Sequence, residues 1–89
     1  MTEENEEMGE EIGEITHYFN HIDVAVIKLS SELSVGDKVR IKGSTTDFEQ
    51  DIDSMQIEHD SVEKAEEGQS VGVKVKDKVR EGDEVYLIE

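Results

Sequence analysis

Apolar and polar residues alternate with a period of two along most of this chain, the mark of strands with one buried face. Val71, Val73, Val75 and Val79 oppose Lys74, Lys76, Lys78 and Arg80, and Val39 and Ile41 sit between Lys38, Arg40 and Lys42. Residues 12–19 read as a strand with Ile15 and Phe19 on one face, followed by a turn at Asn20-His21. Residues 22–29 are a β-branched run, apolar at both parities, which suits a strand covered on both sides. Along residues 47–58 the phase changes: Phe48 and Ile52 share one parity, Met55 and Ile57 the other. A β-bulge near Asp53-Ser54 would produce that change. Residues 61–67 have room for a short turn or one helical turn, ended by Gly68. With strands at 70–76 and 84–88, the pattern predicts an all-β fold: a closed six-stranded antiparallel β-barrel. Closure removes edge strands that would otherwise invite aggregation. The expected core is Val24, Val26, Val39, Ile41, Phe48, Ile52, Ile57, Val71, Val73, Val75 and Val85.

Composition narrows the classes. Eighty-nine residues make one domain with a thin core. The absence of Cys excludes a disulfide framework, a thiolate zinc site and a thiol nucleophile. The apolar run Val24 to Ile27 is far too short to span a bilayer, and no signal-peptide pattern opens the chain, so a cytoplasmic protein without membrane contact is expected. The net charge is −15. Residues 1–11 hold six Glu and no base and are expected to form a disordered acidic tail, leaving 18 acids and 9 bases on a barrel domain at 12–89. Such a charge opposes wholesale binding to phosphate backbones, DNA included, but leaves room for a local basic strip. Lys38, Arg40 and Lys42 together with Lys74, Lys76, Lys78 and Arg80 are seven of the nine bases. If 47–53 returns beside 38–42 as a hairpin, Glu49, Asp51 and Asp53 set an acidic ladder against a basic one.

One turn pattern repeats. Val35-Gly36-Asp37-Lys38-Val39 matches Glu81-Gly82-Asp83-Glu84-Val85 in layout, and Gly68-Gln69-Ser70-Val71 is a looser third copy. With the preceding Val62-Glu63-Lys64-Ala65 and the strand Gly13 to Tyr18, these turns resemble, in their order, the second domain of translational GTPases of the elongation factor Tu type. Gly43-Ser44-Thr45-Thr46-Asp47-Phe48 and Val75 to Asp83 look more like the C-terminal barrel of collagenase-like peptidases, and like short translation elongation factor-like proteins. The resemblance covers residues 12–88 and implies a six-stranded barrel. It implies a non-catalytic binding module in translation or RNA modification, contacting RNA or a ribonucleoprotein, or a separate catalytic or GTPase protein. A protein-binding adaptor, and a detached accessory barrel of a collagenase-like peptidase-type RNA-modifying enzyme, are the alternatives. No phosphate loop or peptidase domain is present in this sequence, so no catalytic residue and no cofactor carries over.

The candidate contacts are few. Lys74, Lys76, Lys78 and Arg80 form the one uninterrupted run of four bases at every second position and are the expected RNA or partner contact; a solvated strand face is the plainer reading. His17, Tyr18, Phe19 and His21 gather half the aromatics with two His at one barrel end. Stacking on a base and plugging of the barrel by Tyr18 and Phe19 are both open. His17 and His21 stand four apart, a metal-ligand spacing on a helix, but here they flank a strand-to-turn junction with no third ligand nearby, and no metal is expected. His59-Asp60 reads as surface, and Ser44-Thr45-Thr46 as loop.

Overall fold

The computed structural model describes residues 9–88. It has ten strands and, among these residues, no helix: β1 (Glu10–Phe19), β2 (Val24–Leu29), β3 (Leu33–Ser34), β4 (Lys38–Lys42), β5 (Asp47–Asp51), β6 (Met55–Ile57), β7 (Asp60–Val62), β8 (Lys64–Ala65), β9 (Ser70–Lys74) and β10 (Glu84–Leu87). Eight of them form one antiparallel sheet in the order β5-β4-β10-β1-β2-β9-β6-β7, and β3 pairs with β8 separately. The all-β class is as the alternation predicts. The closed six-stranded barrel is not: the sheet curls but β5 and β7 remain edges of an open ladder. The expected tail over residues 1–11 lies outside the described residues for 1–8, whereas Glu10 and Glu11 are already strand, paired with Leu87 and Tyr86.

The strands divide because three Gly turns intercept their backbone groups. In each turn the glycine N–H donates to a core residue's carbonyl, and the next residue's carbonyl accepts that same core residue's N–H. Gly36 and Asp37 do this to Ile52, Gly68 and Gln69 to Leu29, and Gly82 and Asp83 to Ile15, all at 2.8–2.9 Å. Ile52 therefore cannot serve a neighbouring strand, and the run 47–58 breaks into β5 and β6. Each glycine has φ between 91° and 99°, which an L side chain rarely adopts. The following residue closes the turn with its side chain: Asp37 Oδ2 accepts the Ser34 N–H at 2.9 Å, Asp83 Oδ2 the Arg80 N–H at 2.9 Å, and Gln69 Oε1 the Glu66 N–H at 2.8 Å. The third, looser sequence copy is thus the same turn with an amide in place of a carboxylate. The short or helical turn expected at 61–67 is instead β7 and β8, with the Glu63 carbonyl between them accepting the Val35 N–H at 2.9 Å.

The core runs through Ile12, Ile15, Ile27, Leu33, Ile41, Ile52, Met55, Val71, Val73 and Val85, all at most 1% exposed. Val39 and Val75 are buried as expected, while Phe48 and Ile57 are half-buried against the cluster. Val24 and Val26 are corrected: β2 turns Ala25, Ile27 and Leu29 inward and leaves these valines on its half-buried face. In β1 the register shifts between Glu11 and Gly13 and between Ile15 and His17. Each shift is a bulge that resets which parity faces inward, so Ile12 and Ile15 are both buried and Phe19 is not.

The β4–β5 hairpin forms as expected and sets acids beside bases: Lys38 opposes Asp51, Arg40 opposes Glu49 and Lys42 opposes Asp47. The Arg40 guanidinium grips Asp47 on the diagonal with two hydrogen bonds, 2.8 and 3.2 Å. That contact holds the Asp47 carboxyl below its ordinary range. Asp53, the third expected rung, lies beyond the strand.

The β6–β7 hairpin turns on two residues, Glu58 and His59, with φ of 51° and 72°. Both positive values belong to a type I′ turn, which favours Asn-Gly. An L side chain in this region costs about 1–2 kcal/mol relative to glycine. Replacing the pair, E58N/H59G, is expected to raise the thermal midpoint by about 4–8 °C for each kcal/mol recovered, read by calorimetry. A lowered midpoint would mean that the two side chains make contacts worth more than the strain.

Candidate functional site

The strand 70–76 expected to carry the basic strip ends at Lys74. Val75 still bonds the turn before β2, its N–H reaching the Asp23 carbonyl at 2.8 Å. Beyond it the chain leaves the sheet: the Lys76 N–H goes to Gln50 Oε1 at 2.9 Å and the Lys78 N–H to Asp77 Oδ1 at 2.8 Å. The inward–outward alternation persists, with Val75 and Val79 buried and Lys76, Lys78 and Arg80 exposed. The single ladder of four cations does not. It is split between two clefts.

The first cleft, about 500 Å³, takes Lys74 and Lys76 together with Asp23, Asp51, Asp53 and Ser54. At its floor is Gln50, 7% exposed, on β5. The Gln50 side-chain amide donates to the Lys74 carbonyl at 2.8 Å while its oxygen accepts the Lys76 N–H at 2.9 Å. A peptide group in a neighbouring strand would make the same pair of bonds. Gln50 thus clasps edge strand β5 to the chain leaving β9, across a gap that the backbone ladder does not close. Phe48, Gln50 and Ile52 share one inward parity, and the polar residue in that series is the signal by which the sequence could have disclosed the clasp.

The second cleft, about 310 Å³, takes Lys78 and Arg80 with Tyr18, Asn20, Thr45 and Thr46. Three segments build it: the end of β1, the β4–β5 turn and the stretch before β10. The turn is closed by the Gly43 N–H on the Thr46 carbonyl at 2.7 Å. The Asp83 carboxylate, 5% exposed, lies beneath: a Cβ built on Gly43 would stand 1.9 Å from Asp83 Oδ1. Among the described residues no carboxylate lies within ion-pair distance of Lys78 or Arg80, whereas Arg40, Lys42 and Lys64 are paired with Asp47, Asp47 and Glu32.

Of the aromatic and His candidates, Tyr18 is half-buried against the core. Phe19, expected to help plug the barrel, is 43% exposed. His17 stacks on Phe19 with ring centres 6.3 Å apart, and its Nδ1 lies 3.7 Å from Glu81 Oε2. His21 sits exposed in the β1–β2 turn. The structure therefore brings Tyr18 together with Lys78 and Arg80, and leaves His17, His21, Lys74 and Lys76 outside that cleft. Among the described residues no three His, Asp or Glu side chains group closely enough to hold a metal ion.

Besides Asp47, two groups among the described residues have displaced pKa values, and neither lines either cleft. A hydrogen bond from Lys64 to Glu32, 2.7 Å, raises the lysine. The Tyr86 hydroxyl donates to Glu84 at 2.6 Å and is pushed up to about 12. Neither arrangement resembles an acid–base pair poised for chemistry.

No family model matches the chain. An uncharacterized protease of Methanocaldococcus jannaschii is 46% identical over 79 residues, covering 88% of this chain and 19% of that protein. A collagenase of Porphyromonas gingivalis is 38% identical over 77 residues, covering 84% of this chain and 21% of its own length. The chain thus spans about a fifth of the length of these relatives. Among solved structures, the C-terminal domain of a Geobacillus thermoleovorans protein described as a U32 peptidase superposes with a TM-score of 0.83 at 22% identity, covering 88% of this chain and 91% of that domain. That likeness establishes a shared fold. These findings support the collagenase-like side of the sequence resemblance and lend none to its elongation-factor side.

Proposed function

We propose that this chain is a non-catalytic accessory barrel serving a U32-peptidase-type catalytic region. The observation that carries the reading is the 46% identity with one fifth of the Methanocaldococcus jannaschii protease, over 88% of this chain. The fold shared with a C-terminal domain of a U32 peptidase agrees with it. So does the use of the buried polar groups: Gln50 and Asp83 hold backbone in place and have no reach left for a substrate.

A second reading, contact with RNA or a ribonucleoprotein, is favoured by one feature. The Tyr18 cleft joins an aromatic side chain to two cations without carboxylate partners among the described residues. An aromatic beside cations is what an unpaired nucleotide strand needs. One experiment separates the two. The tagged chain, captured from its own cells with and without nuclease, is expected to bring down a U32-type catalytic polypeptide and retain it after nuclease. Capture only of RNA-dependent complexes, lost on nuclease treatment, would leave the second reading standing and sink the first.

A further inference from the structure

We infer that the Tyr18 cleft is a binding site for the phosphate group of a phosphomonoester, a site complete within this chain whatever the barrel serves. The cleft, about 310 Å³, is at the small end of ligand sites and suits a molecule of mononucleotide size. Its lining holds two cations and no acid, on a chain with 24 acids and 9 bases. The cleft of Lys74 and Lys76 differs, because Asp23, Asp51 and Asp53 share it. The carboxylates nearest in sequence to Lys78 and Arg80 are engaged elsewhere. Asp77 Oδ1 accepts the Lys78 N–H at 2.8 Å, Asp83 Oδ2 accepts the Arg80 N–H at 2.9 Å, and Glu81 Oε2 lies 3.7 Å from His17 Nδ1. Asp47, beside Thr46, is held by Arg40. Salt screens charges beyond about 8 Å at physiological ionic strength, so the cations lining the cleft count for more there than the distant acids.

Thr46 supplies a second, independent observation. It is only 5% exposed, and its hydroxyl makes no hydrogen bond with a described residue. Among the described residues no enclosed side-chain oxygen lacks a partner, so this hydroxyl belongs to the small part of Thr46 that reaches the cleft. Backbone bonds between Gly43 and Thr46, 2.7 and 3.4 Å, fix the turn that carries it. The Tyr18 hydroxyl is likewise without a partner among the described residues. Hydroxyls from two elements and cations from a third thus meet with donors to spare and no acid to accept from them. A phosphomonoester is the complement: it is close to a dianion at neutral pH and carries three strongly accepting oxygens. A carboxylate brings a single charge, and so does a phosphodiester within a strand. Val79, 3% exposed, and Tyr18 give the carbon body of the ligand an apolar wall.

The test titrates the isotope-labelled full chain with adenosine 5′-monophosphate, inorganic phosphate, adenosine and a diadenosine phosphodiester, read by amide chemical shifts. The monophosphate is expected to move the amides of Thr45, Thr46, Lys78 and Arg80, and to bind at least about tenfold more tightly than adenosine or the diester. Lys78→Ala/Arg80→Ala should lose at least about tenfold in affinity. Thr46→Val, which removes the hydroxyl and keeps the shape, should lose about threefold. Lys74→Ala/Lys76→Ala takes the same charge from the other cleft and should leave the affinity unchanged. Equal losses in the two double variants would reduce the binding to diffuse attraction and overturn the site. Equal affinity for the diester, or no shift at the cleft with either the monophosphate or inorganic phosphate, would also overturn it. A 5′-phosphorylated oligonucleotide separates the sources of the phosphate. Binding no tighter than the monophosphate assigns a free small ligand, and binding at least tenfold tighter assigns the end of a strand; an unphosphorylated oligonucleotide that binds as well sinks the inference. None of these outcomes involves a catalytic polypeptide, so the accessory reading stands or falls separately, by capture.

Discussion

Gly43→Ala is expected to destabilise the folded chain by about 3–5 kcal/mol, a large share of the stability of a domain this size. The added methyl would stand 1.9 Å from Asp83 Oδ1, and the carboxylate cannot retreat cheaply. It is 5% exposed, and its other oxygen holds the Arg80 N–H at 2.9 Å. Relief of the clash therefore opens the 80–83 turn, with its mutual backbone bonds to Ile15. Overpacking accounts for roughly 1–3 kcal/mol of the loss, and the abandoned turn hydrogen bonds for a comparable amount. The midpoint of thermal unfolding should fall by at least about 12 °C. A double-mutant cycle checks the cause. Asp83→Ala alone loses the turn bond, but Gly43→Ala on that background has no carboxylate to strike. The double variant should thus be at least about 1 kcal/mol more stable than the two single losses added together. Simple additivity would place the damage elsewhere.

Gln50→Leu is expected to cost about 2–3 kcal/mol by removing both halves of the clasp. The Lys74 carbonyl and Lys76 N–H lose their partner together, and an orphaned buried group costs roughly 1–3 kcal/mol; the adjoining cleft admits water and moderates the sum. Amide exchange at Lys76 should accelerate well beyond the change in global stability, which a plain loss of packing would not produce. Gln50→Glu gives a signed test. The introduced carboxylate can accept from Lys76 N–H but, ionised, cannot donate to the Lys74 carbonyl. Its penalty relative to the parent chain should shrink as the pH falls and the carboxylate gains a proton. A penalty independent of pH between about 7 and 4 would show that the donor half of the clasp contributes nothing.

Much of this molecule was legible in residue order because the relevant physics is local. The Gly-Asp turns are identifiable from two residues each, since positive φ and a short acceptor side chain act within four positions. That an acidic ladder with Glu49 and Asp51 would lie beside Lys38, Arg40 and Lys42 followed from alternation and a short loop, although the third rung is Asp47 and not the expected Asp53. The likeness to collagenase-like proteins was legible in Gly43 to Phe48 and Val75 to Asp83, whereas the order of the turns pointed to elongation factors, a resemblance that the relatives do not support. What the order of residues left undecided depends on partners distant in the chain. β2 is apolar at both parities, so either face could have turned inward; its neighbours β1 and β9 selected Ala25, Ile27 and Leu29. The break between β5 and β6 exists because Ile52 is bound by a turn fifteen residues earlier. The basic strip kept its alternation but lost its strand, because Gln50 and Asp77 capture N–H groups that a ladder would have used. Side-chain parity is set within a strand. Whether the backbone finds a ladder partner is settled only where two distant segments meet, and there a single amide side chain can replace a strand.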